Sequence, residues 1–205
     1  VFLTGWGVMN QVAIKEAAAI RFPMDHFIGN WWSGAEADVL PAGKTAIGYI
    51  AATFNQPGAK TQAHADIVKH LYGGDMAAAN KAQIGQVLYN RGIINAIYDT
   101  EAVRTAMGKY GNKAMNGEQV RWGLENLNLT EARIAELGVK GFMGPIQISC
   151  ANHEGGGKVM FQQWDGTEFK IIKGWTDTMQ DVIRPMIEEA AAAFAKENKI
   201  TPRKC

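Results

Sequence analysis

The chain has 205 residues, of which 47% are hydrophobic, so it is long enough and apolar enough to bury a core in one or two domains. Its 21 basic and 20 acidic side chains nearly cancel, and the one basic run lies between Lys196 and Lys204. This balance argues against a nucleic acid or an anionic membrane as a partner. The longest alanine-rich stretch, Ala190 to Ala195, is too short to cross a bilayer, so we expect no membrane-spanning segment.

The start of the chain and its cysteines bear on where the protein is located. Val1 already lies in an apolar run, with no initiator methionine, polar leader or signal peptide before it. We therefore expect the sequence to be the later part of a longer chain, whose missing beginning carries the signal peptide. The two cysteines, Cys150 and Cys205, are either free thiols of a cytosolic protein or a disulfide formed in an oxidising compartment. We predict the disulfide, because an exposed terminal thiol would be reactive in the cytosol.

Two short apolar segments near the N-terminus each lead into a turn rich in glycine and tryptophan. Val1–Thr4 precedes Gly5-Trp6-Gly7, and Phe27–Gly29 precedes Asn30-Trp31-Trp32-Ser33-Gly34. Both apolar segments are predicted to be strands.

A helix is predicted between these two strands, with Asn10 as its N-cap and an end before Pro23. Its apolar stripe is expected at Met9, Ala13, Ala17 and Ile20. A strand, a helix and a strand in this order predict parallel strands joined by a right-handed crossover. Both turns should therefore meet at one edge of the sheet, where open α/β sheets bind ligands.

The rest of the chain is predicted to alternate between loops, helices and strands. Glu36–Lys44 is expected to be a polar loop and Gly48–Phe54 a third strand. Helices are predicted at Ala63–Tyr72, Ile84–Tyr110, Asn116–Leu127, Thr130–Leu137 and Asp181–Lys196. Further strands are predicted at Pro145–Ser149, Val159–Trp164 and Thr167–Ile172, the last two forming a hairpin around a type I′ turn at Asp165-Gly166.

No pattern of residues indicates a cofactor, a metal or a catalytic centre. Gly5-x-Gly7 matches the start of a dinucleotide fingerprint, but Asn10 stands where the third glycine is needed, and no acidic residue follows the second strand to bind a ribose. The histidines lack the paired spacing of metal ligands, so we expect them on the surface or in loops: His26, His64, His70 and His153. No nucleophile–base set or glycosidase pair can be assembled from the sequence.

Aromatic and amide side chains at the two turns are the chemistry that remains: Trp6, Met9, Asn30, Trp31 and Trp32. Large indoles at a loop edge favour flat apolar ligands by stacking, and amides can orient such ligands. The alternative is that these tryptophans pack beneath neighbouring loops. Arg91 lies on an apolar stretch of the long predicted helix, where it forms either a structural ion pair or a clamp for a ligand carboxylate.

Five segments of the chain occur together in one known family: Phe2–Glu36, Gly48–Phe54, Gln86–Gly92, Gly117–Leu124 and Gly144–Ile146. In these segments the chain resembles the extracellular solute-binding proteins of ABC importers, and most of all the branched-chain amino acid and amide or aromatic-acid group of the type I periplasmic binding proteins. The resemblance covers nearly the whole chain but only the latter part of the family. It implies an α/β fold of two Rossmann-like lobes that close on a ligand, here incomplete because the N-terminal part is missing.

The resemblance also implies how the chain is divided between the lobes. Residues 1–56 would form an α/β segment of the second lobe, and residues 57–157 would supply helices and an edge strand to the first. Residues 158–174 would be a hairpin that returns to the second lobe. Residues 175–205 would be a C-terminal helix and tail.

The resemblance places ligand contacts in both turns. With the aromatic and amide side chains and Arg91, the expected ligand-binding set is Thr4, Gly5, Trp6, Gly7, Met9, Asn30, Trp31, Trp32, Ser33 and Arg91. Amino-acid binders of the family carry an acidic residue in the second turn to hold the ammonium group, and this chain has Trp31 there. Glu36 and Asp38 lie beyond that turn, in the expected solvated loop. We therefore expect an aromatic or other apolar carboxylate as the ligand.

The expected function is that of a non-enzymatic periplasmic protein that captures a small organic solute and presents it to an ABC permease in the inner membrane. We expect no cofactor and no nucleic-acid partner. One alternative is a branched-chain amino acid or amide binding protein. Two others are an enzyme whose catalytic residues precede this sequence and a ligand-sensing domain of a receptor or regulator.

Overall fold

The computed structural model describes all residues from Val1 to Cys205 and contains eight helices and seven strands. The helices are α1 (Val8–Ala19), α2 (Glu36–Val39), α3 (Gln62–Leu71), α4 (Met76–Lys81), α5 (Val87–Tyr110), α6 (Gly117–Leu124), α7 (Glu131–Glu136) and α8 (Gln180–Glu197). The strands are β1 (Phe2–Leu3), β2 (Ile28–Gly29), β3 (Ile50–Thr53), β4 (Asn128–Leu129), β5 (Ile146–Gln147), β6 (Val159–Trp164) and β7 (Phe169–Thr176). Short 3₁₀ turns lie at Met24–His26, Trp31–Ser33 and Leu40–Ala46. None of the helices combines the length and the apolar character that crossing a membrane requires.

Five strands form the main sheet, in the order β1-β2-β3-β6-β7. β1, β2 and β3 are parallel, with Phe2 opposite Ile28 and Ile28 opposite Ile50. β6 is antiparallel to both β3 and β7. The predicted strand–helix–strand unit, the third strand and the hairpin are therefore confirmed, and the fold is α/β. Because β1 and β2 run in the same direction, the turns that follow them lie at the same end of the sheet.

The first helix begins earlier than the sequence pattern predicts. Its N-cap is Gly7, whose φ of 55° is a backbone conformation that glycine adopts without strain. Asn10 therefore lies inside α1 rather than at its cap, and the buried face follows every fourth residue from Asn10 to Ala18. Met9 and Ile20, which were expected on the apolar stripe, are 52% and 77% exposed.

The segment predicted to be a polar loop folds into α2 and a 3₁₀ turn instead. Val39 and Ala46 are fully buried in the core, and Asp38 is 5% exposed. Pro41 and Gly43 break the helical pattern in the sequence, but proline fits the first positions of a short helical turn and Gly43 takes a φ of 57° between two turns. The loop prediction is wrong because packing against α1, rather than local sequence, determines the conformation of this segment.

β6 and β7 form the predicted hairpin, but its turn is longer than the predicted two residues. Trp164 lies opposite Phe169, so residues 165–168 form a four-residue loop. The Asp165 carboxylate accepts hydrogen bonds from the backbone N–H groups of Thr167 and Glu168 at 2.8 and 2.9 Å. These bonds close the loop in place of a type I′ turn, and β7 accordingly begins at Phe169.

The main hydrophobic core lies between the large sheet and the helices α1 and α2. Its 12 buried residues include Ile14, Phe27, Val39, Tyr49 and Trp164. Burying one large apolar side chain stabilises the fold by roughly 1.5–3 kcal/mol. The core therefore anchors β1, β2 and β3, and with them the turns that follow β1 and β2.

A second cluster of seven buried residues lies apart from the first and includes Ile94 on α5 and Ile134 on α7. β4 and β5 pair antiparallel beside it as a separate small sheet. The strand predicted at Pro145–Ser149 is thus shortened to β5. The helix α4 was not predicted, although Asp75 caps it by accepting hydrogen bonds from the backbone of Ala77 and Ala78.

One histidine departs from the predicted surface location. His64 is 1% exposed, and its ring nitrogens lie 2.6 Å from the Thr61 hydroxyl and 2.9 Å from the Asn90 amide oxygen. The ring also meets Phe142 edge-on at 5.2 Å. His64 is therefore a hydrogen-bonded core residue.

The C-terminal segment is attached to the rest of the chain by a disulfide and by ion pairs. Cys150 and Cys205 are bonded, as predicted, with their Cα atoms 5.4 Å apart. α8 has no buried residue. The Arg203 guanidinium donates to both oxygens of the Glu125 carboxylate, and Arg184 on α8 donates to the carbonyl of residue 151 at 2.6 Å. The tail therefore depends on few contacts.

Candidate ligand-binding site at the ends of β1 and β2

The turns after β1 and β2 lie side by side because their backbones are bonded to each other. The Asn30 N–H donates to the Leu3 carbonyl at 2.9 Å, which continues the pairing of the strands into the turns. Behind the second turn, the Tyr49 hydroxyl donates to the Ser33 carbonyl at 2.7 Å. A Cβ at Gly29 would lie 2.0 Å from that hydroxyl, so glycine alone leaves room for it. The fit of Gly29 against Tyr49 therefore determines where the second turn lies.

The two turns bring three tryptophans together at the surface. The ring centroids of Trp31 and Trp32 are 4.2 Å apart with an interplanar angle of 32°, and Trp6 meets Trp32 edge-on at 6.5 Å. Phe54, which directly follows β3, contacts Trp31 at 5.5 Å. Trp6 and Trp32 are 66% and 50% exposed, so they do not pack beneath neighbouring loops. We call these four rings the aromatic platform, since a flat apolar group can stack on exposed indole faces.

Arg91 reaches the aromatic platform from α5. Its guanidinium carbon lies 5.0 Å from the centroid of the Trp31 ring, a cation–π distance, and its Nη2 donates to the Trp31 carbonyl. Burial lowers the pKa of Arg91, and the nearby Asp38 and Glu36 carboxylates oppose that shift without forming an ion pair with it. The arginine is therefore held by an aromatic ring and a carbonyl, and its remaining N–H groups make no hydrogen bond within the chain.

Glu36 and Asp38 were predicted to lie in a solvated loop, and this prediction is wrong. Both residues lie on α2, behind the second turn. The Asp38 carboxylate accepts hydrogen bonds from the Ala35 N–H at 2.9 Å and from the Asn10 amide at 3.1 Å. Glu36 is half-buried and accepts from the Val87 N–H at 3.0 Å. Burial raises the pKa of both carboxyl groups. The region behind the aromatic platform thus contains acidic groups that the sequence pattern placed in solvent.

The remaining expected site residues differ in their accessibility. Three are exposed beside the first turn: Thr4, Gly7 and Met9. Gly5 and Asn30 are half-buried, and the Asn30 side chain caps the second turn by accepting from the Trp32 N–H at 2.9 Å. Ser33 is fully buried, and its hydroxyl lies 3.0 Å from the Gly5 carbonyl. Ser33 is therefore placed to support the turns from within, while the exposed residues face the surface.

Phe54 and the two acidic residues belong to the site, although the sequence pattern did not predict them there. The signal for Phe54 is its position after a third parallel strand, whose carboxyl end lies at the same edge as both turns. The signal for Asp38 is its place three residues after Ala35, where an acidic side chain can accept from the N-cap N–H of a short helix. No comparable local signal marks Glu36, whose partner Val87 is distant in the sequence.

The chain is similar to known proteins over most of its length. The family model described as periplasmic binding protein matches residues 1–168. An ABC transporter permease from the Pseudomonas fluorescens group is 43% identical, with a TM-score of 0.90 over 100% of this chain and 50% of its own. A branched-chain amino acid ABC transporter from Thermus thermophilus with bound valine is 19% identical, with a TM-score of 0.63 over 86% of this chain and 46% of its own.

A third similar structure is a solute-binding protein of an ABC transporter from R. palustris in complex with benzoate. It is 14% identical, with a TM-score of 0.55 over 87% of this chain and 44% of its own. No curated protein matches the chain. The chain spans about half the length of the structures that it matches. It belongs to the periplasmic binding protein family and, over the part that it spans, has the type I α/β fold of that family.

Proposed function

We propose that this protein is the substrate-binding component of an ABC importer, which captures a small organic solute in the periplasm and presents it to a permease in the inner membrane. Membership of the solute-binding family supports the capture of a small molecule. The disulfide between Cys150 and Cys205 supports an oxidising compartment. Cell fractionation tests the location: the protein should be released with the periplasmic contents, and recovery in the cytosol would contradict the proposal.

We also propose that the chain contributes to two lobes, with residues 1–56 and the hairpin at 158–174 in the second lobe and residues 57–157 in the first. The two separate hydrophobic clusters support this division. The larger one draws on α1, α2, the strand β3 and the hairpin, while the smaller one lies around α5, α7 and the small sheet. Val87 is the exception, because it lies on α5 but packs in the larger cluster. Closure of the lobes would then sequester the ligand.

For the ligand, we propose an aromatic or other apolar carboxylate. The observation that carries this proposal is an exposed aromatic platform with a guanidinium stacked beside it. Arg91 uses one N–H on the Trp31 carbonyl, and the planar fork of the remaining donors suits a carboxylate, which accepts two parallel bonds. An acid such as benzoate would place its ring on Trp6 or Trp32 and its carboxylate on Arg91.

The approximate contributions to the binding free energy favour an acid over an amino acid at this site. An aromatic contact contributes about 0.5–1.5 kcal/mol beyond the area that it buries, and a hydrogen bond to a charged group about 1.5–3 kcal/mol. An ammonium group in a closed site costs several kcal/mol unless it is paired, and an indole face offsets about 0.5–2 kcal/mol of that cost. A benzoate-like acid would use both the rings and the cation, and it would leave no charge of its own unpaired.

Tryptophan fluorescence titration of the full-length protein tests the ligand class. Benzoate or cinnamate should change the emission at lower concentrations than leucine or valine. Arg91→Lys keeps the charge but removes the fork, so it should weaken binding of the acids about tenfold, or 1.4 kcal/mol. Trp122→Phe is the control for the fluorescence signal, because Trp122 contacts Tyr110 rather than the aromatic platform. Tight binding of leucine with no response to either acid would overturn the proposal.

A branched-chain amino acid or amide is the second candidate, and the position of Glu36 favours it. This half-buried carboxylate is fixed by the Val87 N–H and lies close enough to Arg91 to influence its pKa. A ligand ammonium beside α2 could pair with it. Glu36→Gln separates the candidates: it should abolish binding of leucine if Glu36 holds the ammonium. It should leave benzoate binding unchanged or tighter, because a negative charge near Arg91 is removed.

A further inference from the structure

One buried amide connects both turns of the site to the helices behind them. Asn10 lies in the first turn of α1 and is fully buried. Its Nδ2 donates to the Trp32 carbonyl at 2.9 Å and to the Asp38 carboxylate at 3.1 Å. Its Oδ1 lies 3.1 Å from the Ser33 hydroxyl. An asparagine side chain has two N–H donors and one carbonyl acceptor, so each polar group of Asn10 has a partner.

The partners of Asn10 determine which way its amide faces. A carbonyl and an ionised carboxylate accept but cannot donate, so the NH₂ group must face Trp32 and Asp38. The Ser33 hydroxyl has one hydrogen to donate, and Asn10 Oδ1 is one of three acceptors around it, with the Gly5 carbonyl at 3.0 Å and the Asn30 Oδ1 at 3.2 Å. Asn10, Ser33 and Asp38 are buried, and the Trp32 carbonyl is partly buried. Breaking a bond among the buried groups would therefore leave a polar atom without water or protein to replace its partner. The network is thus stable in one arrangement.

Asn10 also accounts for the glycine in the first turn. A Cβ at Gly5 would lie 2.7 Å from Asn10 Oδ1, so the amide fills the space that Gly5 leaves. The Ser33 hydroxyl, beside the same oxygen, lies 3.0 Å from the Gly5 carbonyl. The first turn, the second turn and α2 therefore converge on one side chain. This is the side chain that stands where a dinucleotide fingerprint would carry its third glycine.

The second turn is held at two adjacent carbonyls from two directions. The Trp32 carbonyl accepts from Asn10 on α1, and the Trp31 carbonyl accepts from Arg91 on α5. The two contacts come from different helices, so loss of one leaves the other in place. Removing the Asn10 amide would free the Trp32 carbonyl and the space beside Gly5, while the Trp31 carbonyl stays attached to α5.

We propose that Asn10 is the positioning residue of this site, which sets the 6.5 Å distance and the 78° angle between the rings of Trp6 and Trp32. It thereby sets the shape of the surface offered to the ring of a ligand. Asn10 is buried and does not touch the ligand itself. Its effect on ligand selectivity rests on the proposed function, whereas its effect on the tryptophans does not.

Near-ultraviolet circular dichroism of the full-length protein tests the positioning role, because the signal of neighbouring indoles depends on their distance and angle. Asn10→Leu removes the bonds to Trp32, Asp38 and Ser33 and keeps the same branching and number of side-chain heavy atoms. Asn90→Leu is the matched control, since Asn90 is also fully buried and its NH₂ group lies within hydrogen-bond distance of the Gln56, Gly58 and Gly85 carbonyls rather than of either tryptophan-rich turn. Both variants should melt at lower temperature than the wild type.

Below the melting temperature, Asn10→Leu should lose most of the coupled tryptophan signal, and Asn90→Leu should keep it. If Asn10→Leu does not fold, Asn10→Ser provides the same comparison with a smaller loss, because serine keeps a donor but is too short to join Trp32 to Asp38. A folded Asn10 variant with the wild-type spectrum would overturn the proposal.

Titration with benzoate extends the test to the ligand. The affinity should fall about tenfold in Asn10→Leu and change little in Asn90→Leu. A wild-type protein that binds neither benzoate nor cinnamate, together with an altered spectrum in Asn10→Leu, would refute the proposed ligand class but support the positioning role. Unchanged benzoate affinity in a folded Asn10→Leu would overturn the role in ligand selectivity.

Discussion

Gly29→Ala should destabilise the protein mainly through one contact, with the hydroxyl of Tyr49. The added Cβ would lie 2.0 Å from the hydroxyl oxygen, and 2.9 and 3.0 Å from the Cβ and the carbonyl oxygen of Ser33. Tyr49 is fully buried in the main core, so its ring cannot move into solvent. The hydroxyl must therefore shift and lose its 2.7 Å hydrogen bond to the Ser33 carbonyl.

The expected loss of stability in Gly29→Ala comes from two effects. Overpacking a buried site costs about 1–3 kcal/mol, and leaving a buried carbonyl unpaired costs about 1–3 kcal/mol. Tyr49→Phe alone should cause only the second loss. The double variant should then be more stable than the sum of the single losses by about 1 kcal/mol or more, because phenylalanine has no hydroxyl to clash with the new Cβ. It should remain less stable than the wild type, since the contacts with Ser33 persist.

Urea unfolding of the wild type, the two single variants and the double variant measures this coupling. Gly174→Ala is the control, because a Cβ at Gly174 on β7 would meet no atom within 4 Å, and its stability should stay near that of the wild type. Losses of free energy that add to within about 0.5 kcal/mol would refute the reasoning. In that case the Tyr49 hydroxyl would not be what excludes a side chain at Gly29.

Three further predictions concern the disulfide and two carboxylates. Reduction of the Cys150–Cys205 disulfide should add the mass of two hydrogen atoms. It should also lower the free energy of unfolding by about 4 kcal/mol in the chain-entropy model, since the bond spans 55 residues. Two free thiols in freshly isolated protein would contradict the presence of the disulfide. Arg133 holds the pKa of the Glu101 carboxyl below its ordinary 4.5. The ionised Glu101 therefore stabilises the fold above pH 4.5, and this stabilisation is lost as the pH falls through the lower pKa that Glu101 has in the folded state. Urea titrations of Glu101→Gln should therefore show lower stability at neutral pH and a weaker decline in acid, and an unchanged decline would count against the ion pair. Burial raises the pKa of Glu36 above 4.5, so ionisation of Glu36 opposes folding as the pH rises, and Glu36→Gln should not lose stability at pH 7. A clear loss there would show that the backbone hydrogen bonds to the Glu36 carboxylate and its attraction to Arg91 outweigh burial.

The strand–helix–strand beginning of the chain could be predicted because apolar periodicity is a local signal. The residue at which α1 starts could not be predicted, since glycine and asparagine both occur as N-caps. The choice between Gly7 and Asn10 depends on the bonds of Asn10 to Trp32 and Asp38, which are 22 and 28 residues away. Contacts at that separation leave no mark in the local pattern.

The candidate site was predictable to a similar extent. The order of the strands places the tryptophan-rich turns together, and the structure does bring Trp6 next to Trp32. The acidic residues were misplaced, because the position of Glu36 depends on the Val87 N–H, 51 residues along the chain. Exposure of the rings could not be predicted either, since it depends on which neighbouring segments cover them.

Native mass spectrometry of the full-length protein, in a mixture of equal amounts of benzoate, cinnamate, leucine and valine, tests the proposed ligand class most directly. We expect the bound mass to be that of an aromatic acid. Arg91→Lys should carry less of it, and Trp122→Phe should carry as much as the wild type. A bound mass of leucine or valine in the wild type would contradict the account.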